Sequence, residues 1–171
     1  MRQRPDSADA FNNLGMVLHR QGKSSEARRC FEQAVRRAPE GLVACCNLAS
    51  VLAETGESAA AQLQWSHAFQ LDPQWPMHFC RTAWHLATHP DARQRHGAEA
   101  LRLARQACQA TENRVTEYLE VQAAALAECG QFREAVEVAC KAKERADTAK
   151  VRRIEACKQR YEQGKPWRAR S

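Results

Sequence analysis

The sequence has no long hydrophobic run, although 44% of its 171 residues are apolar. No window approaches the roughly 18 consecutive apolar residues that predict a membrane-spanning helix. The first ten residues contain two arginines and no apolar stretch, so they do not predict a signal peptide. We therefore expect a protein without a membrane span, large enough to bury a core as a single domain.

The eight cysteines form no C-x-x-C pair and lack zinc-finger spacing. Several fall at packing positions of the predicted helices: Cys45, Cys108, Cys129 and Cys140. Cysteine used in this way is a small hydrophobic residue, which favours a reducing, cytoplasmic compartment. We expect no disulfide and no structural metal.

The motifs that would carry catalysis are also incomplete. Gly22-Lys23-Ser24 resembles the end of a phosphate-binding loop, but Val17 stands where that loop needs a glycine, and no strand precedes it. His78, His85 and His89 share a helical face without a carboxylate or cysteine to complete a metal site. No cysteine has an activating partner at a defined spacing. We expect no enzymatic activity, no cofactor and no small-molecule substrate.

The basic charge belongs to the C-terminal segment. The net charge is +6, and residues 141–171 contain 11 Lys/Arg against 4 Asp/Glu. This segment could contact nucleic acid or an anionic surface, with Trp167 as a stacking ring. Four acids are interspersed in it: Glu144, Asp147, Glu155 and Glu162. They favour an ordinary solvated helix, so nucleic acid is the weaker alternative.

What the sequence does contain is one 34-residue pattern written twice between residues 8 and 75. The matched pairs are Phe11 with Cys45, Leu14 with Leu48, Gly15 with Ala49, Leu18 with Leu52, Gly22 with Gly56, Ala27 with Ala61, Phe31 with Trp65, Ala34 with Ala68 and Pro39 with Pro73. The first four positions predict one packed face of a helix, and the later apolar positions predict a second helix. A period of this length is typical of stacked helical hairpins, each too small to bury its own apolar face.

These residues at this spacing resemble the tetratricopeptide repeat family. The resemblance implies an all-α fold, a right-handed superhelical solenoid of helical hairpins with a C-terminal capping helix. The predicted segments are repeats at 8–41, 42–75, 76–115 and 116–147, a capping helix at 148–163 and a polar tail at 164–171. The third repeat carries five extra residues within 89–97, where Pro90 replaces the expected turn glycine.

Helix boundaries follow from the same pattern. We predict a first helix at about 8–20 with Asp6 or Ser7 as its N-cap, and a second helix that follows the N-cap Ser24 and ends near Arg37. The two helices of the second hairpin are predicted at about 42–54 and 57–71. Pro76 suits the first turn of a third hairpin, and a last helix begins near Thr148.

A finer resemblance covers the second half of the chain. The run from Leu86 to Leu101 and the ending from Tyr161 to Trp167 resemble the C-terminal end of bacterial tetratricopeptide arrays. Some of those arrays are similar to the repeats of protein O-linked N-acetylglucosamine transferases. The alternative function implied is a substrate-recruiting or regulatory module of a glycosyltransferase-type system.

The main hypothesis is a non-catalytic scaffold that binds a peptide or helix of a partner protein. By the resemblance, first helices line a concave groove, and the packed positions leave a set of residues to face it. The predicted binding residues are Asn12, Asn13, Met16, Arg20, Asn47, Arg81 and Trp84. Asn13, Asn47 and Arg81 lie 34 residues apart, and Val121 continues their row. An asparagine amide donates and accepts, so it can pair with a peptide backbone, although it also suits a merely solvated groove.

The cysteine interpretation makes a direct prediction. Titration of the unfolded protein with a thiol reagent, in denaturant without reductant, should recover all eight thiols. Recovery of four or fewer would instead indicate disulfides and an oxidising compartment.

Overall fold

Residues 7–169 are described in the computed structural model, and among them the chain forms nine α-helices, one 3-10 helix and no strand. The helices are α1 Ala8–Arg20, α2 Ser24–Arg37, α3 Leu42–Glu54, α4 Ser58–Leu71, α5 Trp75–Thr88, α6 Gly97–Ala110, α7 Thr116–Glu128, α8 Phe132–Glu144 and α9 Thr148–Glu162. The short 3-10 helix spans Ala92–Gln94. The predicted all-α fold of hairpins followed by a further C-terminal helix is confirmed. No helix in this range is long and apolar enough to cross a membrane.

The chain divides into two compact units rather than the one domain we expected. The first is Met1–Trp75 and the second is Pro76–Ser171. Hairpins in a stack contact mainly their neighbours, so a chain of this length can fold without one common core. The division coincides with the end of the second 34-residue repeat.

The turn between α1 and α2 ends one residue earlier than predicted. Ser7 is the N-cap of α1, as expected, because its Oγ accepts from the Ala10 backbone N–H at 3.1 Å. Ser24 is not a cap: α2 begins at Ser24, and its N-cap residue Lys23 makes no side-chain capping bond. The cause is the turn itself, where Gly22 has φ +76° and Lys23 N–H donates to Leu18 O at 3.0 Å. The other candidate cap, Asp6, lies outside the described residues.

The core of the first unit contains two close approaches. A Cβ at Gly15 would lie 2.6 Å from the ring of Phe31, so only glycine allows α1 and α2 to approach this closely. Trp65 is buried and stacks on Trp75, with ring centroids 5.5 Å apart and planes inclined by 16°. Trp75 therefore completes the core of the second hairpin, although it is also the first residue of α5.

The predicted inward face of α1 needs a correction. Leu14 is 50% exposed, and Phe11 and Leu18 are only half-buried, whereas Leu48, the counterpart of Leu14, is 5% exposed. The two helices differ in their neighbours, because α3 packs against both α2 and α4. Identical repeat positions therefore have different burial.

The second unit contains the departure from the repeat. The chain between α5 and α6 forms the 3-10 turn, and Arg95 Nη1 donates to the carbonyl oxygens of His89 and Pro90 at 3.0 Å each. These bonds satisfy carbonyls just beyond the end of α5. Gly97 then begins α6 so close to α7 that a Cβ would lie 3.1 Å from Glu128 Cγ. The inserted segment is therefore ordered by α5 and α7.

Trp65→Ala tests the core of the first unit. We expect a loss of about 3–5 kcal/mol in unfolding free energy, because the change removes a buried ring stacked on Trp75. Leu63→Ala on the same helix is the matched control, since Leu63 is 71% exposed and should shift stability little. Urea denaturation of both variants decides it, and similar midpoints would contradict this core.

Candidate functional site

In the first unit, two side-chain pairs join α1 to α3. Asn47 Nδ2 donates to Asn12 Oδ1 at 2.9 Å, and His19 Nε2 lies 2.6 Å from Glu54 Oε2. Both pairs join residues 35 apart in sequence, one more than the repeat period. Asn47 is 3% exposed, so its bond to Asn12 is largely shielded from water. These contacts fix the register of the two helices.

The predicted binding residues of the first unit separate into buried and accessible groups. Asn47 belongs to the packed interface with Asn12, and Asn12 Nδ2 also contacts Met16 Sδ at 3.8 Å. Asn13 and Arg20 are exposed, and Met16 is half-buried. The sequence predicts a row of accessible amides at equivalent repeat positions, beginning with Asn13 and Asn47. Only Asn13 is accessible, because Asn47 is buried and donates to Asn12.

The pairs between α1 and α3 were missed at the sequence level, although a signal existed. A search at the repeat period alone aligns Asn13 with Asn47. A spacing of 35 residues, one more than the period, aligns Asn12 with Asn47 and His19 with Glu54. The first pair consists of two amides, and the second of a histidine and a carboxylate. Side chains of adjacent helices interdigitate, so contacting partners need not be equivalent repeat positions.

In the second unit, the predicted residues Arg81 and Trp84 lie on α5. Arg81 is exposed and Trp84 is half-buried, with its ring packed on the core of this unit. Trp84 also lines a small cleft with Ile154 and Tyr161. The cleft has room for about one water molecule, so it cannot take a partner's side chain. Of the predicted binding residues on α5, Arg81 and the exposed part of the Trp84 ring are therefore accessible.

Beside this cleft, an ion pair links α7 and α9. Arg153 donates to both carboxylate oxygens of Glu120, at 2.9 and 2.8 Å, which is a bidentate ion pair. Burial raises the pKa of Cys157 to about 11, so this thiol is protonated at neutral pH. The cleft therefore contains no activated nucleophile among these groups.

The basic C-terminal segment is paired more than the sequence suggested. Ion pairs of 2.6 to 2.8 Å join Lys143 to Glu155, Lys150 to Glu117, Arg153 to Glu120, Lys158 to Glu162 and Arg168 to Glu128. Trp167, considered above as a stacking ring for nucleic acid, is half-buried and packs on the core of the second unit. Trp167 is therefore not a free stacking ring, in contrast to the expectation from the sequence.

The candidate metal and nucleophile groups acquire ordinary packing contacts. Between residues 7 and 169, no cluster of three or more His, Cys, Asp or Glu side chains could hold a metal ion. His85 and His89 contact edge to face, with ring centroids 4.8 Å apart. Cys45 Sγ lies 3.7 Å from His67 Nδ1, but burial raises the pKa of this thiol, which disfavours the reactive thiolate.

Comparison with known protein families gives a match to part of the chain. Residues 8–40, the first hairpin, match the family model described as Tetratricopeptide repeat. No curated protein matches the chain. Because the family match covers only the first hairpin, it supports a tetratricopeptide repeat at that position.

Several solved structures are similar. TTC0263, a thermophilic TPR protein of Thermus thermophilus, is 18% identical, with 88% of this chain and 80% of that chain covered and a TM-score of 0.45. YrrB, a TPR protein described with an unusual peptide-binding site, is 16% identical, with 94% and 80% covered and a TM-score of 0.44. Yeast Tom70 is 17% identical, with 92% and 33% covered and a TM-score of 0.44.

The two asparagines should respond differently to truncation. Asn47→Ala should cost about 1–3 kcal/mol of unfolding free energy, because it leaves Asn12 Oδ1 without its donor in a shielded position. Asn13→Ala, at an exposed position, should change stability by less than about 0.5 kcal/mol. Urea denaturation measures both, and equal losses would contradict the Asn12–Asn47 contact.

Proposed function

We propose that this protein is a non-catalytic protein-binding module that binds partner segments at a face of α1 in the first unit and at a face of α5 in the second unit. The observation that supports it is a repeated pair of side chains. Asn13 and Met16 on α1 occupy the positions of Arg81 and Trp84 on α5, at twice the 34-residue period. In each helix an exposed polar residue precedes a half-buried apolar one by three residues, so the two share a face.

The α1 face has the chemistry of peptide recognition. The Asn13 amide offers a donor and an acceptor, which can pair with the backbone of a bound segment whatever its side chains. The Met16 thioether is half-buried against Asn12 and can adapt to varied apolar groups. Arg20 adds an exposed guanidinium that favours a carboxylate on the partner. We infer that the preferred partner of this face is an extended segment with an apolar side chain and an acid.

The α5 face offers a related combination. Arg81 is exposed, and the Trp84 ring is held from below by the core of the second unit. A rigid aromatic edge beside a guanidinium is favourable for binding, because little side-chain entropy is lost on contact. We treat this face as a second site of the same function.

The other candidate functions have less support. The ion pairs of the C-terminal segment reduce the positive charge available to nucleic acid. A role beside a glycosyltransferase stays a prediction from the sequence resemblance. The eight cysteines are free, which supports the proposed cytoplasmic location.

The binding proposal can be tested with peptides selected from a random phage-displayed library on the native chain. For the tightest peptide, the double change Asn13→Ala with Arg20→Ala should raise Kd by about tenfold or more, because a hydrogen bond and an ion pair are lost. Calorimetry measures both affinities, and thermal melts check that the variant remains folded.

Gln62→Ala is the matched control, since Gln62 is an exposed amide on α4, outside the proposed face. It should leave Kd unchanged. Failure to enrich any peptide, or equal affinities of the native chain and the double variant, would remove the α1 face as the binding site.

A further inference from the structure

The described part of the C-terminal tail, residues 164–169, is bound to the second unit rather than free. Gly164, with φ +68°, follows the C-cap residue Gln163 of α9, and Lys165 N–H donates to Arg160 O at 2.9 Å. The tail then reaches Glu128, the last residue of α7, and Thr88, the last residue of α5. A segment without regular secondary structure therefore crosses the C-terminal ends of three helices.

The aromatic residue of the tail has a defined position. Trp167 packs on the hydrophobic core of the second unit and is half-buried there. Arg160 donates to Pro166 O at 3.4 and 3.3 Å, and its guanidinium lies 6.0 Å from the centre of the Trp167 ring. The ring is therefore held by an apolar floor and by a cation at the edge of cation–π range.

The arginine of the tail forms an ion pair with a carboxylate that a second arginine orients. Arg168 Nη1 lies 2.7 Å from Glu128 Oε2, and the Glu128 side chain is 15% exposed. The other oxygen, Oε1, accepts from Arg95 Nε at 2.9 Å, so the inserted segment orients this carboxylate. The C-terminal end of α7 adds partial negative charge at the same place, which further favours a cation.

The backbone of the tail is also recognised. Ala169 N–H donates to Thr88 O at 3.0 Å. Because Thr88 is the last residue of α5, its carbonyl has no donor within that helix. This contact fixes the register of the tail without depending on side chains. The tail thus makes the aromatic, ionic and backbone contacts by which proteins hold peptide ligands.

We propose that this tail-docking face, formed by Thr88, Glu128, Arg160 and the core beneath Trp167, is a recognition site for partner segments in which an aromatic residue precedes arginine. The chain's own tail occupies the site in cis. An attached ligand acts at a high effective concentration, so a partner segment must displace it. The site is separate from the α1 face and does not depend on the function proposed for that face.

The probe is a capped hexapeptide with the sequence of residues 164–169, Gly-Lys-Pro-Trp-Arg-Ala. The variant Trp167→Ala with Arg168→Ala, made in the whole chain, removes the aromatic and ionic contacts of the tail. Calorimetry should show that the peptide binds this variant at least about tenfold more tightly than it binds the native chain. The same peptide with alanine for tryptophan, or glutamate for arginine, should bind neither.

Two further measurements test whether the peptide binds at this face. Adding Glu128→Gln to the double variant should weaken peptide binding by about tenfold, since the partner of arginine loses its charge. In the native chain, the Trp167 indole N–H resonance should move toward its unbound position as the peptide is titrated, which needs no variant.

Circular dichroism and thermal melts establish whether the variants are folded. A folded double variant that binds no peptide, together with an unmoved Trp167 resonance in the native chain, would overturn the proposal. Asn13→Ala with Arg20→Ala should leave hexapeptide binding unchanged, so failure at the α1 face and failure here give different results.

Discussion

The contact between Phe31 and the backbone at Gly15 is the constraint on which the first hairpin depends. A hairpin of two helices has too little interior to bury a ring unless the helices approach closely, and the missing side chain at Gly15 permits that approach. The second hairpin uses Ala49 and Trp65 at the same positions, and its larger ring finds a further partner in Trp75. Both repeats therefore combine a small residue on the first helix with an aromatic residue on the second, which allows the two helices to pack closely.

Contacts between the first helices limit what the α1 face can bind. The Asn47 amide stabilises the packing of α3 on α1, so it is not accessible in the way that its repeat counterpart Asn13 is. Stability and recognition use the same residue type one position apart. Because Asn13 is exposed and Asn47 is buried, the binding proposal concerns a residue that lies outside the core.

The irregular third hairpin adds a feature that the first two hairpins do not have. Its inserted segment provides Arg95, which satisfies carbonyls beyond α5 and orients Glu128 at the end of α7. Glu128 in turn holds Arg168 of the tail. The departure from the repeat and the bound tail are thus parts of one arrangement. Loops commonly carry function. Here Arg95 of the inserted segment orients the Glu128 carboxylate that pairs with Arg168.

The sequence by itself determined the helices. The bounds of α1 and α3 agree with the prediction, because apolar periodicity and turn glycines act within a few residues of chain. Only the tertiary structure decided that Leu14 is exposed, that Asn47 faces Asn12, and that Trp167 packs on the core. Those outcomes depend on which helices are neighbours and on how their side chains interdigitate. A 34-residue period cannot encode such contacts, because equivalent positions in it do not have equivalent surroundings.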